Sequence, residues 1–472
     1  MSFGGLYISI SGIDANKKSL DTVSHNISNV NSPHYTRQNT IHATNSYTSM
    51  GYGLEKGTGV HVEEIRQIRN EFLDFSYRYE LEKYGYWDAT SSILNEVEII
   101  FNEVPNSGLQ KVMNDFWDGW NEVSKKSGSL TMRGLLHESG VAFTETVNHI
   151  DTQLDNLQSS LNEEITKEVN EINKFLTKIA DLNSKIRFAE GGNSNIKAND
   201  YRDMRNQLLD ELSNIIPINS YEKNTGELVV SLEGRDLVNG EYVNYIDTTT
   251  VRPNNKEGEN KPNKGYIYIC WSDTGEYIEL DEKGSLSGCI NARDNLIEDY
   301  RSDLDKLVKT MANEINKLHR KGYNLDGENM EIDFFISDDD DEINSSNIRI
   351  NPKLSNFNEI AVSKSGISED GEIAEEILNL RDKKILNNMT FEEYYRSLIS
   401  DIAIKGESAN NSLDIQGKLL KEIDERRQAV SGVSLDEEMA DMLRYQHSYI
   451  ANSRVINAID EMIDNIINRM GR

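Results

Sequence analysis

The stretch that runs from Leu435 to the C-terminal Arg472 carries an apolar stripe that does not stop before the chain does. Leu435, Met439, Met442, Tyr445, Tyr449, Asn452, Ile456, Ile459, Ile463, Ile466 and Met470 advance by three and four residues, the spacing of one helix face. A helix of this kind needs a partner. The N-terminal segment supplies one, because Leu6, Ile10, Ile13, Leu20, Val23, Ile27 and Val30 fall on a similar stepped face, with Lys17 as its polar interruption. A lone helix pair buries only one face of each helix, so Leu443, Ile450, Val455 and Ile467 are expected outside the seam. Most amphipathic helices simply cover a core, but these two stripes lie at the chain ends, where no further polypeptide remains to bury them. Neighbouring molecules are expected to do so.

Composition narrows the partners. The 472 residues carry 80 acidic against 50 basic side chains, a formal net charge of −30, which repels phosphate backbones and anionic lipid over long range. Neither nucleic acid nor membrane is an expected partner. At 37% hydrophobic residues the chain suits an elongated, many-helix molecule better than one compact globule. No run approaches the roughly 18 apolar residues of a spanning helix, and Asp14, Lys17 and Lys18 interrupt any secretory core. Export, if it occurs, takes another route. Cys270 and Cys289 lack a CxxC pair or a histidine grouping, so neither a disulfide scaffold nor a zinc site is indicated, and they meet only if the fold brings them together.

Periodicity along the chain is nested. Pro33 ends the first helix, and residues 35–69 read as extended structure and turns punctuated by Gly51, Gly53, Gly57 and Gly59. Helices are expected from Glu71 to Glu103, closed by Pro105, and from Leu109 to Lys125. The longest regular signal runs from Val147 to Ile186, a rod of roughly 60 Å at about 1.5 Å per residue. Gly191 and Gly192 break it, and a return helix from Tyr201 to Ile216 stops at Pro217. Runs at 228–232, 242–246 and 266–271 have the β-branched and aromatic enrichment of strands. Helix returns from Leu286 to Arg320, a mixed polar stretch reaches Asn388, and a further helix spans Phe391 to Val430 before Gly432. The fold class is therefore mainly α and elongated, with paired terminal helices, a helical bundle and a small β-rich insertion. Three units are expected: 1–36 with 433–472 as a terminal assembly domain, 37–219 with 284–432 as a helical rod, and 220–283 as a β-rich outer domain.

Catalytic constellations are lacking. His25, His34, His42 and His61 are the closest histidines, and their neighbours are Asn, Ser, Tyr and Thr at turn-like positions. The acidic run from Asp338 to Glu342 lacks the alternating ligands and central glycine of a calcium loop, so a solvated turn is expected. The glycines at 51–59 are followed by a strand rather than by a P-loop Lys-Ser or Lys-Thr. No catalytic residue, cofactor or metal is assigned.

Specific motifs resemble the bacterial flagellar rod, hook and hook-associated proteins. Residues Val23 to Arg37, VSHNISNVNSPHYTR, look like that family's shared N-terminal signature. Residues Ser431 to Tyr449, SGVSLDEEMADMLRYQHSY, and their continuation Ala451 to Ile456 look like the matching C-terminal end of its hook-filament junction members. Gly284 to Gly288, Arg293, Asp294, Leu304, Asp305, Asn316, His319, Gly322, Leu325 and Gly327 are similar to their central helix and following turn. The likeness fades between 220 and 283. One position departs: the family's turn has glycine before the aromatic, where this chain has His34, and a positive φ there costs histidine a steric penalty.

The resemblance implies a non-enzymatic structural subunit, exported through the flagellar type III apparatus to the extracellular flagellum. It further implies contacts with copies of itself, the hook protein and the next hook-associated junction protein, and a cytoplasmic export chaperone at the C-terminal helix. The terminal helices would order on incorporation, after passing a narrow channel unfolded. Two other classes compete. A dimeric coiled-coil adaptor would bind a partner through the β-rich segment, and a hydrolase would hide in residues 220–285, where no constellation supports it.

Overall fold

The computed structural model describes residues 4–51, 54–101, 108–191, 197–250, 265–329, 331–337 and 342–469. Gly53, Pro105, Gly192, the run from Asp338 to Asp341 and Met470 lie outside them.

Helix α1 (Gly4–Ser28) opens the chain, and Val30 already lies in the turn that follows. Strand β1 (Gln38–Thr44) pairs antiparallel with β4 (Val60–Gln67), and the shorter β2 (Thr48–Gly51) and β3 (Leu54–Lys56) pair beyond them. Four helices follow: α2 (Glu71–Phe101), α3 (Leu109–Lys125), α4 (Leu130–Glu190) and α5 (Asn199–Ile215).

Helix α4 is the structural axis and is longer than its apolar period indicated, with 61 residues, a rod of about 90 Å. Ser129 caps its N-terminus by accepting from the Met132 backbone N–H, and Gly191 ends it. The added turns bury only Leu136 and Phe143 as large apolar side chains, interspersed with Gly134, Gly140 and Thr144, which is why the apolar period reads from Val147.

A four-stranded antiparallel sheet follows, ordered β5 (Asn219–Glu222), β6 (Leu228–Leu232), β7 (Arg235–Asn239) and β8 (Tyr242–Val243). A ribbon of β9 (Ile246–Thr249) and β10 (Tyr268–Trp271) adjoins it. The single strand expected at 242–246 is thus two strands. Two asparagines of α4 hold this region by hydrogen-bonding backbone. Asn173 bonds both the N–H and C=O of Ile246, and Asn183 donates to the carbonyls of Leu228 and Gly240 while accepting from the Leu228 N–H.

The helix expected from Leu286 to Arg320 is two helices, α6 (Ser285–Asn291) and α7 (Ile297–His319), joined by a π-turn at Ala292–Leu296. The wider turn carries Arg293 inward, fully buried, where it donates to Asn162 Oδ1 at 2.7 Å, to the Ile267 carbonyl at 2.9 Å and to Asp294 at 2.7 Å. The polar stretch before Asn388 is structured too, with β11 (Phe335–Ile336) paired to β12 (Arg349–Ile350) and a short α8 (Glu372–Leu378). Helix α9 (Phe391–Ser431) starts with a Thr390–Glu393 capping box, and α10 (Leu435–Asp464) closes the chain.

The main core sits where α3, α4 and β11 meet. Phe116 is ringed by Trp117, Trp120, Phe143, Phe334 and Phe335 at centroid distances of 5.7 to 6.2 Å, and all six are fully buried. His319 is buried beside them. Its Nδ1 donates to the Ile332 carbonyl at 2.6 Å and its Nε2 accepts from the Ala361 N–H at 3.0 Å, which requires the neutral ring. Burial lowers its pKa to about 4. Cys270 and Cys289 are both buried free thiols.

At the base of the bundle, α2, α5 and α9 are tied by ion pairs. Arg69 grips Asp74 through two contacts of 2.9 Å, while Arg78 and Arg427 both meet Asp210 at 2.7 Å. Arg427 also lies 4.0 Å over the Tyr77 ring. The close approach of α2 to α5 requires Gly85, where a Cβ would fall 2.1 Å from the Asn214 carbonyl oxygen.

Candidate assembly interface

Helices α1 and α10 run antiparallel in a constant register. Gly5 faces Ile459, Gly12 faces Asn452 and Asn26 bonds Glu438, so each step of seven forward on one helix is a step of seven back on the other. The seam shares Val23 with the face read from large apolar residues, and its other buried positions on α1 are small or polar. The buried positions of α1 are Ser9, Gly12, Ala15, Ser19, Thr22, Val23 and Asn26. Small side chains let the helix axes come close: a Cβ on Gly12 would lie 2.8 Å from the Asn452 amide nitrogen.

Of the predicted α1 residues, Val23 is buried, Leu6, Ile13, Leu20, Ile27 and Val30 are half-buried, and Ile10 is exposed. On α10, Met442, Tyr445, Ile456, Ile459 and Ile463 are half-buried, whereas Leu435, Met439, Tyr449 and Ile466 are exposed. Leu443, Ile450, Val455 and Ile467 are exposed as well, as a two-helix seam requires.

The β1–β4 hairpin lies along α1 and fixes its height. Ser19 Oγ bonds Thr40 Oγ1 at 2.9 Å and His42 Nε2 at 3.0 Å, and Ser11 Oγ accepts from the Val60 N–H at 3.1 Å. The His42 ring stacks on Tyr445 with centroids 6.2 Å apart.

A polar knot joins these elements. Asn26 Nδ2 donates to the Gln38 carbonyl at 2.9 Å and to Glu438 Oε2 at 3.0 Å, while its Oδ1 accepts from Tyr35 Oη at 2.8 Å and from the Gln38 N–H at 3.0 Å. Both amide hydrogens and both carbonyl lone pairs are used. Arg37 donates to Glu438 Oε1 and to Glu437 Oε2, each at 2.6 Å, and its backbone N–H donates to the Ser431 carbonyl. Burial alone would lower the Arg37 pKa, but Glu438 and Glu437 outweigh it and hold the group above its usual range. Burial, with Asp200, Asp203 and Glu438 behind it, pushes the Tyr35 hydroxyl well up.

The knot extends into the rod through α5. The Thr36 N–H donates to Asp203, Gln38 donates to Asp200, and Gln67 donates to Asp203 at 2.7 Å. Asp203 is pushed up to about 6 by burial, against the pull of Thr36 and Arg69. His34 adopts φ 60°, so the turn does require the left-handed conformation, and the chain bears its cost with histidine. Sequence reasoning located the motif segments but not Glu438, a charge at 1% exposure and the only buried residue among those described in α10. Its signal was Arg37, a cation in a signature whose neighbours offer no local acid.

Among the described residues no grouping of three or more His, Cys, Asp or Glu could hold a metal ion, and no helix is long and apolar enough to cross a membrane.

The chain is similar to known proteins. The family model of the flagellar hook-associated protein FlgK helical domain matches residues 94–335, and that of the flagellar basal body rod FlgEFG protein C-terminal region matches 424–470. Flagellar hook-associated protein 1 of Bacillus subtilis is 30% identical over 505 residues, covering 100% of this chain and 99% of that protein. Its namesakes in Salmonella typhimurium and Escherichia coli are each 23% identical, covering 97% of this chain and 98% of their own length. The flagellar hook junction protein FlgK from Burkholderia pseudomallei superposes with a TM-score of 0.63 over 77% of this chain and 100% of that one, at 13% identity, a likeness of fold. The chain belongs to the flagellar hook-associated protein 1 family.

Proposed function

We propose that this chain joins the flagellar hook to the filament, and that the α1–α10 pair is the element that enters the joint. The carrying observation is that α10 buries one residue, Glu438, over its 30 residues, while Leu435, Met439, Leu443, Ile450 and Val455 stay exposed. A helix with so little burial draws its stability from a partner surface, and apolar side chains in a row mark such a surface. In the monomer the ends would open readily, thread an export channel and order when sister subunits cover them.

The division of labour follows the three units: 1–36 with 433–472 assembles, 37–219 with 284–432 spaces, and 220–283 faces outward. The partners are further copies, the hook protein and the next hook-associated junction protein. Before export through the flagellar type III apparatus, a cytoplasmic chaperone holds α10. A coiled-coil adaptor is less well supported, because α1 and α10 already pair with each other within one copy.

Two double substitutions test this. Ile459→Asp with Ile463→Asp should undock α10 from α1, and Leu443→Asp with Ile450→Asp should leave it docked but block neighbours. Both are expected to leave the rod folded and cells with bare hooks in electron micrographs. Trypsin is expected to remove both ends of the purified protein and leave a core from about Gln38 to about Lys421. Filaments of normal number in the Leu443/Ile450 variant, or resistant ends in the monomer, would contradict the proposal.

A further inference from the structure

The sulfur-bearing side chains differ sharply in their access to water. Met113 and Met311 are fully buried in the rod, whereas Met439 is 59%, Met204 55% and Met462 40% exposed. Of these three exposed thioethers, two belong to α10. Met439 stands one residue, roughly 100° of helix, past Glu438, which bonds Asn26 of α1. It therefore joins the exposed row of Leu435, Leu443 and Ile450 beside the seam. Met462 lies on the other flank of α10, in line with exposed Val455 and Ile466. Met204 sits apart from both, on α5 of the rod.

The chemistry open to these sulfurs is oxidation. A thiol reacts as its thiolate, and Cys270 and Cys289 are buried, with burial pushing both thiols up. A thioether has no proton to lose, so its reaction with a peroxide needs access alone. A sulfur lone pair attacks one oxygen of hydrogen peroxide, the O–O bond breaks and an S–O bond forms. The second oxygen leaves as water, so sulfur is oxidised by two electrons and the peroxide is reduced. The sulfoxide puts a polar group where a flexible apolar tip stood. In the free chain that group stays hydrated. Beneath a neighbouring subunit it has to shed its water. We infer that Met439 and Met462 are modification sites that make the assembly surface of α10 sensitive to peroxide: oxidation of the free chain at these two sulfurs leaves the rod folded and keeps the chain out of the joint.

This inference rests on the proposed role of α10, and one experiment separates the two. The purified full chain is treated with hydrogen peroxide, mapped by peptide mass spectrometry, melted, and offered to bare hooks on which its incorporation is measured by immunoblot. Met439, Met462 and Met204 are expected to gain one oxygen each well before Met113 and Met311, with the melting of the rod unchanged. Incorporation should fall roughly tenfold or more, and methionine sulfoxide reductases should restore it. Leucine conserves the volume of methionine, so a chain with Met439→Leu and Met462→Leu, which keeps Met204, should incorporate equally before and after peroxide. Undiminished incorporation of the oxidised natural chain, an equal loss in the double variant, or oxidation of Met113 and Met311 as fast as of Met439 would overturn the inference. If the untreated Leu443→Asp with Ile450→Asp chain still fails to incorporate, the terminal proposal stands in each of those cases. Normal incorporation of that chain would overturn the terminal proposal and this inference with it.

Discussion

The core around Phe116 and the seam between α1 and α10 are both helix packings, and they use opposite means. Six aromatic rings fill the first with no exposed surface. The second is lined by serine, glycine, threonine and asparagine and is locked by one buried carboxylate. Aromatic packing gives large, non-directional stabilisation, whereas small residues with hydrogen-bonded anchors give a precise register and little net energy. The rod is packed to stay folded, and the ends are held in one register by few buried groups.

The largest expected effect lies in the rod. Phe116→Ala should cost about 3 to 5 kcal/mol of unfolding free energy, since it leaves a cavity among five rings. Denaturant melts of the purified protein read it directly, and a loss under about 1 kcal/mol would mean the core repacks.

Two titrating groups of the rod, His319 beside that core and Glu168 further along α4, pull stability in opposite directions with pH. His319 has a folded pKa of about 4 against 6.5 unfolded, so its contribution is present above pH 6.5 and lost as pH falls toward 4, by up to about 3 kcal/mol. Glu168 is raised to about 7 by burial, with the Ser285 hydroxyl pulling it back. Its contribution is present below pH 4.5 and lost as pH climbs through 7, by up to about 2 kcal/mol after allowance for partial exposure. Between pH 4.5 and 6.5 His319→Gln should therefore flatten the acid loss of stability, and Glu168→Gln should steepen it and stabilise the chain above pH 7. Thermal melts of both variants across that range check the signs, and parallel profiles would remove both assignments.

The smaller effect belongs to the ends. Glu438→Ala leaves the Asn26 amide and Arg37 short of a partner, at a cost of about 1 to 2 kcal/mol. It should speed the removal of α10 by trypsin relative to the unsubstituted protein while the melting of the rod stays where it was. A rod destabilised as much as by Phe116→Ala would show that the two regions unfold together.

The rod helices were legible from the sequence to within a few residues wherever large apolar side chains kept the period, as at 109–125 and 391–431. At 130–146, where glycine and threonine share the core face with only Leu136 and Phe143 as large apolar residues, the same method stopped short. The π-turn at Ala292–Leu296 left no trace in the apolar period, because it exists to bury an arginine. Short α8 and the β11–β12 ribbon were lost in polar composition, since long-range packing and not local period stabilises them. At the ends, pairing was evident, but the stripe of isoleucines and leucines was placed in the seam when small residues fill much of it. A search for apolar faces finds what is sticky, and in this interface much of the sticky surface points away from the seam.

Hydrogen exchange followed by mass spectrometry, on the full-length monomer and on the same chain in isolated hook–filament junctions, tests the central claim most directly. The account predicts that residues 435–469 of the monomer exchange within seconds while the Phe116 core stays protected for hours, and that the same residues become protected in the junction. Protection of 435–469 in the monomer equal to that of the core, unchanged on assembly, would contradict it.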